Sequence, residues 1–171
     1  MGKPNHLNWD EAAGAAPNAR RRLPGLVSAF FARGRELLPK EPKSAEWHAL
    51  RLATKRLRYT LELFRPCYGP GFRTRLAALR RLQQSLGEVN DCARAAEILA
   101  AAFGGKSPQR ARVEHFLRHR GAAKTEEFRR EWTQVFDAPG QERWWTGYLA
   151  QRARPPERKA GGRQNPKLAG C

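Results

Sequence analysis

The 171-residue sequence has few acidic residues, few β-branched residues and no long apolar run. It contains 16 Asp and Glu against 33 Lys and Arg, so its net charge is +17 with His neutral. Val and Ile are scarce, whereas Leu, Ala, Arg and Glu, which favour helices, dominate. No run approaches the roughly 20 apolar residues that a membrane-spanning helix needs. The positive charge favours a polyanionic partner such as nucleic acid, an anionic membrane surface or inorganic polyphosphate.

The start of the chain and its cysteines predict a cytoplasmic protein without a cofactor. Residues 1–6 lack the apolar core of a signal peptide. Cys67, Cys92 and Cys171 form no CxxC pair, and the four His residues fit no zinc-binding pattern. We therefore expect no metal, no cofactor and no membrane association, with Cys67 and Cys92 lining the core.

Composition divides the chain into three regions. Residues 1–17 mix Pro, Gly, Asn and Ala without a sustained period, and are expected to be a flexible N-terminal segment. Residues 18–150 carry the helical pattern of a folded domain. Residues 151–171 combine Pro and Gly with six cations and a single acid, which predicts a disordered basic tail.

The central region predicts an all-α fold, an antiparallel helical bundle of about four to five helices. Breakers and caps delimit the segments: Pro24 is expected in the first turn of the first, Ser44 as the N-cap of the second and Gly87 as the stop of the third. Ser107 and Pro108 mark the start of the last segment. The five segments run from about 18–38, 45–65, 72–86, 89–103 and 107–136. Beyond them, an aromatic cluster is expected to fold back on the bundle: Trp144, Trp145 and Tyr148.

The second segment carries a row of cations opposite its apolar stripe. At 100° per residue the stripe consists of Leu50, Ala53, Leu57, Leu61 and Phe64. The opposite side carries His48, Arg51, Lys55 and Arg58. Because like charges at i,i+3 and i,i+4 repel by a few tenths of a kcal/mol per pair, acidic neighbours or a bound anion should offset the repulsion.

Two further segments have basic faces, which include Arg80 in the third segment and Arg112 and His115 in the last. A single basic face is also typical of a solvated helix surface. Three such faces on one small bundle with few acids favour an anion-binding surface. Guanidinium forks and ammonium groups suit phosphate oxygens, and a helix presents them about every 5 Å, on the scale of a polyphosphate chain. His48 would gain charge beside a dense anion.

Two runs of sequence resemble the CHAD domain, the conserved histidine α-helical domain. Residues 48–64, HALRLATKRLRYTLELF, resemble its signature helix, and residues 79–91, LRRLQQSLGEVND, resemble its leucine-glutamine helix. The similarity extends over about residues 44–145. Both motifs resemble the C-terminal half of a full-length domain, so the chain is identified as a short form.

The resemblance implies an all-helical domain that binds inorganic polyphosphate without catalysis, in the cytoplasm and in association with polyphosphate granules. It maps the family's basic positions to His48, Arg51, Lys55, Arg56 and Arg58, and to Arg80. Together with Arg112 and His115 these form the expected binding set. Because family members usually have two helical halves around a basic channel, we hypothesise that two copies form a homodimer. The alternative is a degenerate fragment with an open, weaker groove.

Two other functions stay open at this point. A basic helical protein could bind nucleic acid, although neither a helix-turn-helix nor an RNA-recognition signature is visible, so we expect nucleic acid to be a weaker, nonspecific polyanion. A phosphohydrolase would need metal-binding carboxylates or an activated nucleophile. Asn90 and Asp91 are the suggestive pair, but a cap at the start of a fourth helix explains them better.

Overall fold

The fold is an α-helical bundle, seen in a computed structural model that describes residues 9–102 and 107–155. Five α-helices, a 3₁₀ turn at Arg65–Cys67 and a π-helical turn at Trp132–Phe136 make up these ranges, which contain no strand. The all-α prediction is therefore confirmed. The helices are α1 (Ala15–Leu37), α2 (Ser44–Leu63), α3 (Gly71–Ala102), α4 (Pro108–Glu131) and α5 (Gln141–Gln151). None of the described helices has the length and apolarity that crossing a membrane requires.

The helices pack in an order that leaves α2 between two neighbours. α1 packs against α5 and α2, α2 packs against α3, and α3 packs against α4. The apolar stripe of α2 is confirmed at Leu50, Leu57, Leu61 and Phe64, with Trp47 and Thr54 also buried and Ala53 partly buried. Cys67 and Cys92 are buried free thiols, as expected. Cys171 lies outside the described residues.

An aromatic cluster joins α1 to the C-terminal part of the bundle. The ring of Phe31 stacks on that of Phe136 with centroids 4.8 Å apart, and Phe30 packs 5.4 Å from Trp132. Gly34 of α1 lies directly under the six-membered ring of Trp132. A side chain at position 34 would occupy the space that this ring fills. The predicted folding back of the later aromatics is confirmed for Trp145, which is buried in the core, and for Tyr148, which packs against it, whereas Trp144 is 42% exposed.

The N-cap residue predicted for α2 is wrong. Ser44 is the first residue of the helix rather than its N-cap, and its hydroxyl donates to the Glu97 carboxylate at 2.6 Å. Lys43 is the N-cap residue, and its backbone N–H donates to the Glu46 carboxylate at 2.8 Å. The glutamate three residues into the helix thus satisfies a donor that the helix itself leaves free.

The predicted helix stop at Gly87 is also wrong, because 71–102 is one continuous α-helix. Gly140 has the one positive φ in the described ranges, so Gly87 keeps an ordinary helical backbone. Asn90 therefore lies inside α3 and does not cap a fourth helix. Its side chain donates to the carbonyl of Leu86 at 2.9 Å and to that of Trp47 at 3.4 Å, which links α3 to α2. Packing against α2 and α4 outweighs the weak helix propensity of one glycine.

The two ends of the bundle differ from the expected boundaries. α1 begins at Ala15, so Pro24 lies inside the helix and not in its first turn. The Asn18 side-chain amide, in the first turn of α1, and the Asp10 backbone exchange hydrogen bonds of 2.9 and 3.0 Å. These bonds hold the described residues that precede α1 against the helix. At the other end, the Arg154 N–H donates to the Cys67 carbonyl at 2.8 Å. Residues 1–8 and 156–171 of the predicted flexible segments lie outside the described residues.

The predicted start of α4 is confirmed, whereas the α-helix ends before the predicted residue. The Ser107 hydroxyl accepts from the Arg110 N–H at 3.1 Å, and Pro108 is the first helical residue. The α-helix ends at Glu131, and residues up to Phe136 form a π-helical turn instead of a continued helix. This turn directs Trp132 and Phe136 into the core.

Candidate polyanion-binding site

Four contacts fix how α2 lies along α3. Ser44 bonds to Glu97, Asn90 to the Trp47 carbonyl, Arg58 to Gln83 and Arg80 to Glu62. Residue numbers rise along α2 while they fall along α3, so the two helices are antiparallel. Between the outer pairs, this register places Gly87 beside the turn of α2 that runs from residue 51 to residue 55.

The flank of α2 nearest α3 carries the predicted cations. Arg51, Lys55 and Arg58 are separated by four and three residues, so they lie above one another over about two turns. All three are partly buried, and His48 is exposed one turn earlier. We call the surface along this contact, lined by Arg51, Lys55, Arg58, Arg80 and Gly87, the basic groove.

Glu62 neutralises part of the basic groove. Its carboxylate accepts from Arg58 at 2.8 and 2.9 Å and from Arg80 at 2.8 Å. Burial raises the pKa of the Glu62 carboxyl, but the hydrogen bonds from Arg80 and Arg58 outweigh it and hold the pKa below its usual range. One carboxylate between two guanidinium groups leaves a net charge of +1, so this end of the groove remains positive.

Arg58 is fixed by more than its ion pair. Its Nε donates to the Gln83 side-chain oxygen at 2.7 Å, and its guanidinium lies 4.2 Å from the centre of the Tyr59 ring. Three partners hold the group in one position, which lowers the entropy lost when it binds an anion. Glu62 at i+4 from Arg58 was the one sequence signal for this network. The role of Gln83 could not be seen from sequence because it depends on the register of α3.

The central cations of the groove have no acidic partner. Within 9–102 and 107–155, Arg51 and Lys55 take part in no ion pair, and neither does Arg56, which lies outside the groove. Across from Arg51 and Lys55, Gly87 has no side chain, and a Cβ atom built there would meet nothing within 4 Å. The groove is therefore open where its charges are unpaired.

The remaining predicted residues lie outside the basic groove. Arg56 is exposed on the side of α2 that points away from the core. Arg112 and His115 are exposed on α4, which packs against α3, and the His115 ring lies 4.3 Å from that of His119. No hydrogen bond or ion pair of the described residues links either residue to α2. Their assignment as ligand-binding residues stays a prediction.

One basic residue is buried outside the groove. Arg75 is 4% exposed, and its guanidinium lies between the rings of Trp144 and Tyr148, 3.4 and 3.8 Å from their centres. It donates to the carbonyls of Trp144 and Gly71 at 2.6 and 3.1 Å, and burial lowers its pKa to about 10. Arg75 therefore attaches α5 to α3 and is not available to a ligand.

The described residues offer little for metal or nucleophilic chemistry. They include no group of three or more His, Cys, Asp or Glu side chains placed to hold a metal ion. Asp91 is exposed on α3, and Asn90 has the structural role given above. A cavity of about 580 Å³ beside Cys67, Tyr148 and Arg152 includes none of the groove cations.

Comparison with known proteins adds one finding. The family model described as CHAD domain matches residues 3–100. The match includes α1, α2 and nearly all of α3, whereas the similarity drawn from the two motifs ran from about residue 44 to 145. No curated protein and no solved structure matches the chain.

Proposed function

Because the chain belongs to the CHAD domain family, we propose that its basic groove binds inorganic polyphosphate without catalysing a reaction. CHAD domains are associated with polyphosphate-related proteins. The observation that carries the proposal is the pair of unpaired cations, Arg51 and Lys55, opposite an open glycine position. Two unpaired cations one turn apart repel each other by a few tenths of a kcal/mol, and a linear polyanion bound along them offsets that repulsion.

The groove suits a flexible chain of phosphates rather than a single ion. Its cations extend along α2 from Arg51 to Arg58, a rise of about 10 Å. Arg58 and Arg80 continue the positive surface across to α3, held in place by Glu62. Each guanidinium can donate two hydrogen bonds to phosphate oxygens, and each contact releases counterions into the solvent. Several moderate contacts thus add up to strong, salt-dependent binding.

The proposal extends to partners and location. Nucleic acid binds the same cations as a weaker, nonspecific polyanion, because the groove attracts phosphates by its positive charge and does not distinguish one base from another. A second copy of the chain is the protein partner. The site is cytoplasmic, next to polyphosphate granules.

A competition experiment tests the proposal. With labelled polyphosphate bound, added DNA at equal phosphate concentration should displace little of it, whereas polyphosphate should displace labelled DNA almost completely. The reason is that neighbouring phosphates of polyphosphate share a bridging oxygen in a single flexible chain that bends into the groove, while the phosphates of duplex DNA are divided between the two strands of a stiff rod. Equal displacement in both directions would favour a general polyanion binder, and release of free phosphate from the probe would contradict a non-catalytic role.

A further inference from the structure

The face of α2 that points away from the core carries large apolar side chains. Leu52, Tyr59 and Leu63 are 37%, 50% and 78% exposed. With Arg56 they follow one another at intervals of four, three and four residues, which places them on one line along the helix. α1 and α3 pack against other sides of α2, so this line has no partner within the described chain.

We propose that a second copy of the chain covers this line, with the two α2 helices packed antiparallel around a two-fold axis. The inference rests on the proposed function only for the ligand that the paired grooves would hold. The contact itself depends on the residues of α2 alone.

The spacing of the line selects the antiparallel register. Intervals of four, three and four read the same in both directions, so Leu52 of one copy meets Leu63 of the other. In the same register Arg56 meets Tyr59 of the second copy. Tyr59 already stacks against Arg58, and a second guanidinium over its exposed side adds a cation–π contact. Two-fold symmetry makes each of these contacts twice.

The flanks of the line are complementary as well. Lys55 and Glu62 border it on the α3 side, seven residues apart, and antiparallel packing brings Lys55 beside Glu62 of the second copy. Because that carboxylate is already bonded to Arg58 and Arg80 of its own chain, each such cluster keeps a net charge of +2 for the ligand. Ala53 and Thr60 border it on the α1 side, where small side chains let the helices approach. Opposite charges and matching apolar residues therefore point to this same helix as the partner.

The pairing joins the two basic grooves. A two-fold axis perpendicular to both α2 helices keeps their α3 flanks on the same side of the interface. Both grooves then open on one surface and run side by side, in opposite directions, on the two sides of the axis. A single polyanion can follow this surface from one copy to the other, and its charge offsets the repulsion between two chains of net charge +17.

The oligomeric state is the first test. Light scattering over a range of protein concentrations should show a dimer, and Leu63→Ser should weaken its dissociation constant about a hundredfold, because two buried leucines are lost per dimer. The matched control is Phe116→Ser, which removes a side chain that is 58% exposed on α4. A wild-type monomer at all concentrations, or equal effects of the two substitutions, would overturn the proposal.

Disulfide cross-linking tests the register. In a Cys171→Ser background, chains with Leu52→Cys and chains with Leu63→Cys should cross-link when mixed and not when alone. Antiparallel packing sets identical positions about 16 Å apart, beyond the reach of a disulfide, whereas 52 and 63 lie opposite each other. Cross-linking of each variant with itself would show parallel packing, and absence of cross-links in every mixture would show that this face is not paired. Both results contradict the inference.

Oligophosphate binding, measured on the same variants, separates this inference from the proposed function. A monomeric Leu63→Ser protein that still binds oligophosphate supports both. A wild-type dimer that binds none refutes the proposed function and leaves the dimer standing. A wild-type monomer that binds oligophosphate tightly refutes the dimer alone.

Discussion

Replacing Arg51, Lys55 and Arg58 together by alanine is expected to lower the affinity for polyphosphate at least about a hundredfold. A direct, charge-assisted contact contributes about 1–3 kcal/mol, and three such contacts are removed at once. Arg51 and Lys55 have no acidic partner to lose, so their removal changes the ligand's surroundings more than the fold. Alanine also favours helix, so α2 should remain intact. Fluorescence anisotropy with a labelled polyphosphate measures the loss.

The matched control removes the same charge from another surface. Arg118, Arg130 and Arg143 are exposed on α4 and α5 and take part in no ion pair of the described residues. Changed together to alanine, they lower the net charge by the same three units. This variant should bind polyphosphate within a few-fold of the wild-type protein. Equal loss in both variants would mean that net charge alone drives binding and that the basic groove has no special role.

Gly34→Ala is expected to destabilise the fold by about 3 kcal/mol, which lowers the melting temperature by about 10 °C for a chain of this size. A Cβ at this position would overlap Cζ2 and Cη2 of the Trp132 ring and lie 2.6 Å from its Cε2. Trp132 cannot move aside easily, because it is 1% exposed and packs against Phe30, Phe31 and Phe136. Thermal denaturation followed by circular dichroism measures the effect.

Gly87→Ala is the natural comparison. Gly87 is also inside a helix, but nothing lies within 4 Å of the Cβ it would gain. The substitution should therefore stabilise the protein by about 0.5–1 kcal/mol, the gain expected when alanine replaces glycine in a helix. If Gly34→Ala proved as well tolerated as Gly87→Ala, the described packing of α1 against Trp132 would be wrong.

The helical character of the chain could be predicted from composition and periodicity. The buried line of α2 follows the 3.6-residue repeat of Leu50, Leu57 and Leu61, and Ser107 with Pro108 marks the start of α4 by local chemistry. These features depend on residues close in sequence. They do not require knowledge of what packs against the helix.

The mispredicted helix boundaries depend on tertiary contacts. Gly87 was expected to end a helix, but α2 and α4 support α3 on both sides of it, so one weak helix former does not break the chain. Ser44 was expected to cap α2, but its hydroxyl bonds to Glu97 on α3, 53 residues away. Local propensity does not decide the structure where a contact distant in sequence stabilises the fold more than a cap or a turn does.

The candidate site shows the same division. The row of Arg51, Lys55 and Arg58 could be read from residue spacing, because all three lie on one helix. Their separation from Arg112 and His115 could not, since it depends on α4 packing against α3. The spacing of Glu62 from Arg58 is visible in the sequence, but its bridge to Arg80 appears only when α2 and α3 are placed together.

The salt dependence of binding by a single-residue variant tests the central claim most directly, because it counts the cations that touch the ligand. Affinity for a defined polyphosphate is measured from low to high salt for the wild-type protein, for Arg51→Gln and for Arg118→Gln. Each contact contributes about 0.7–1 to the slope of log affinity against log salt. We expect Arg51→Gln to lower the slope by about this amount and Arg118→Gln to leave it unchanged. An unchanged slope for Arg51→Gln would show that the phosphates do not touch the basic groove.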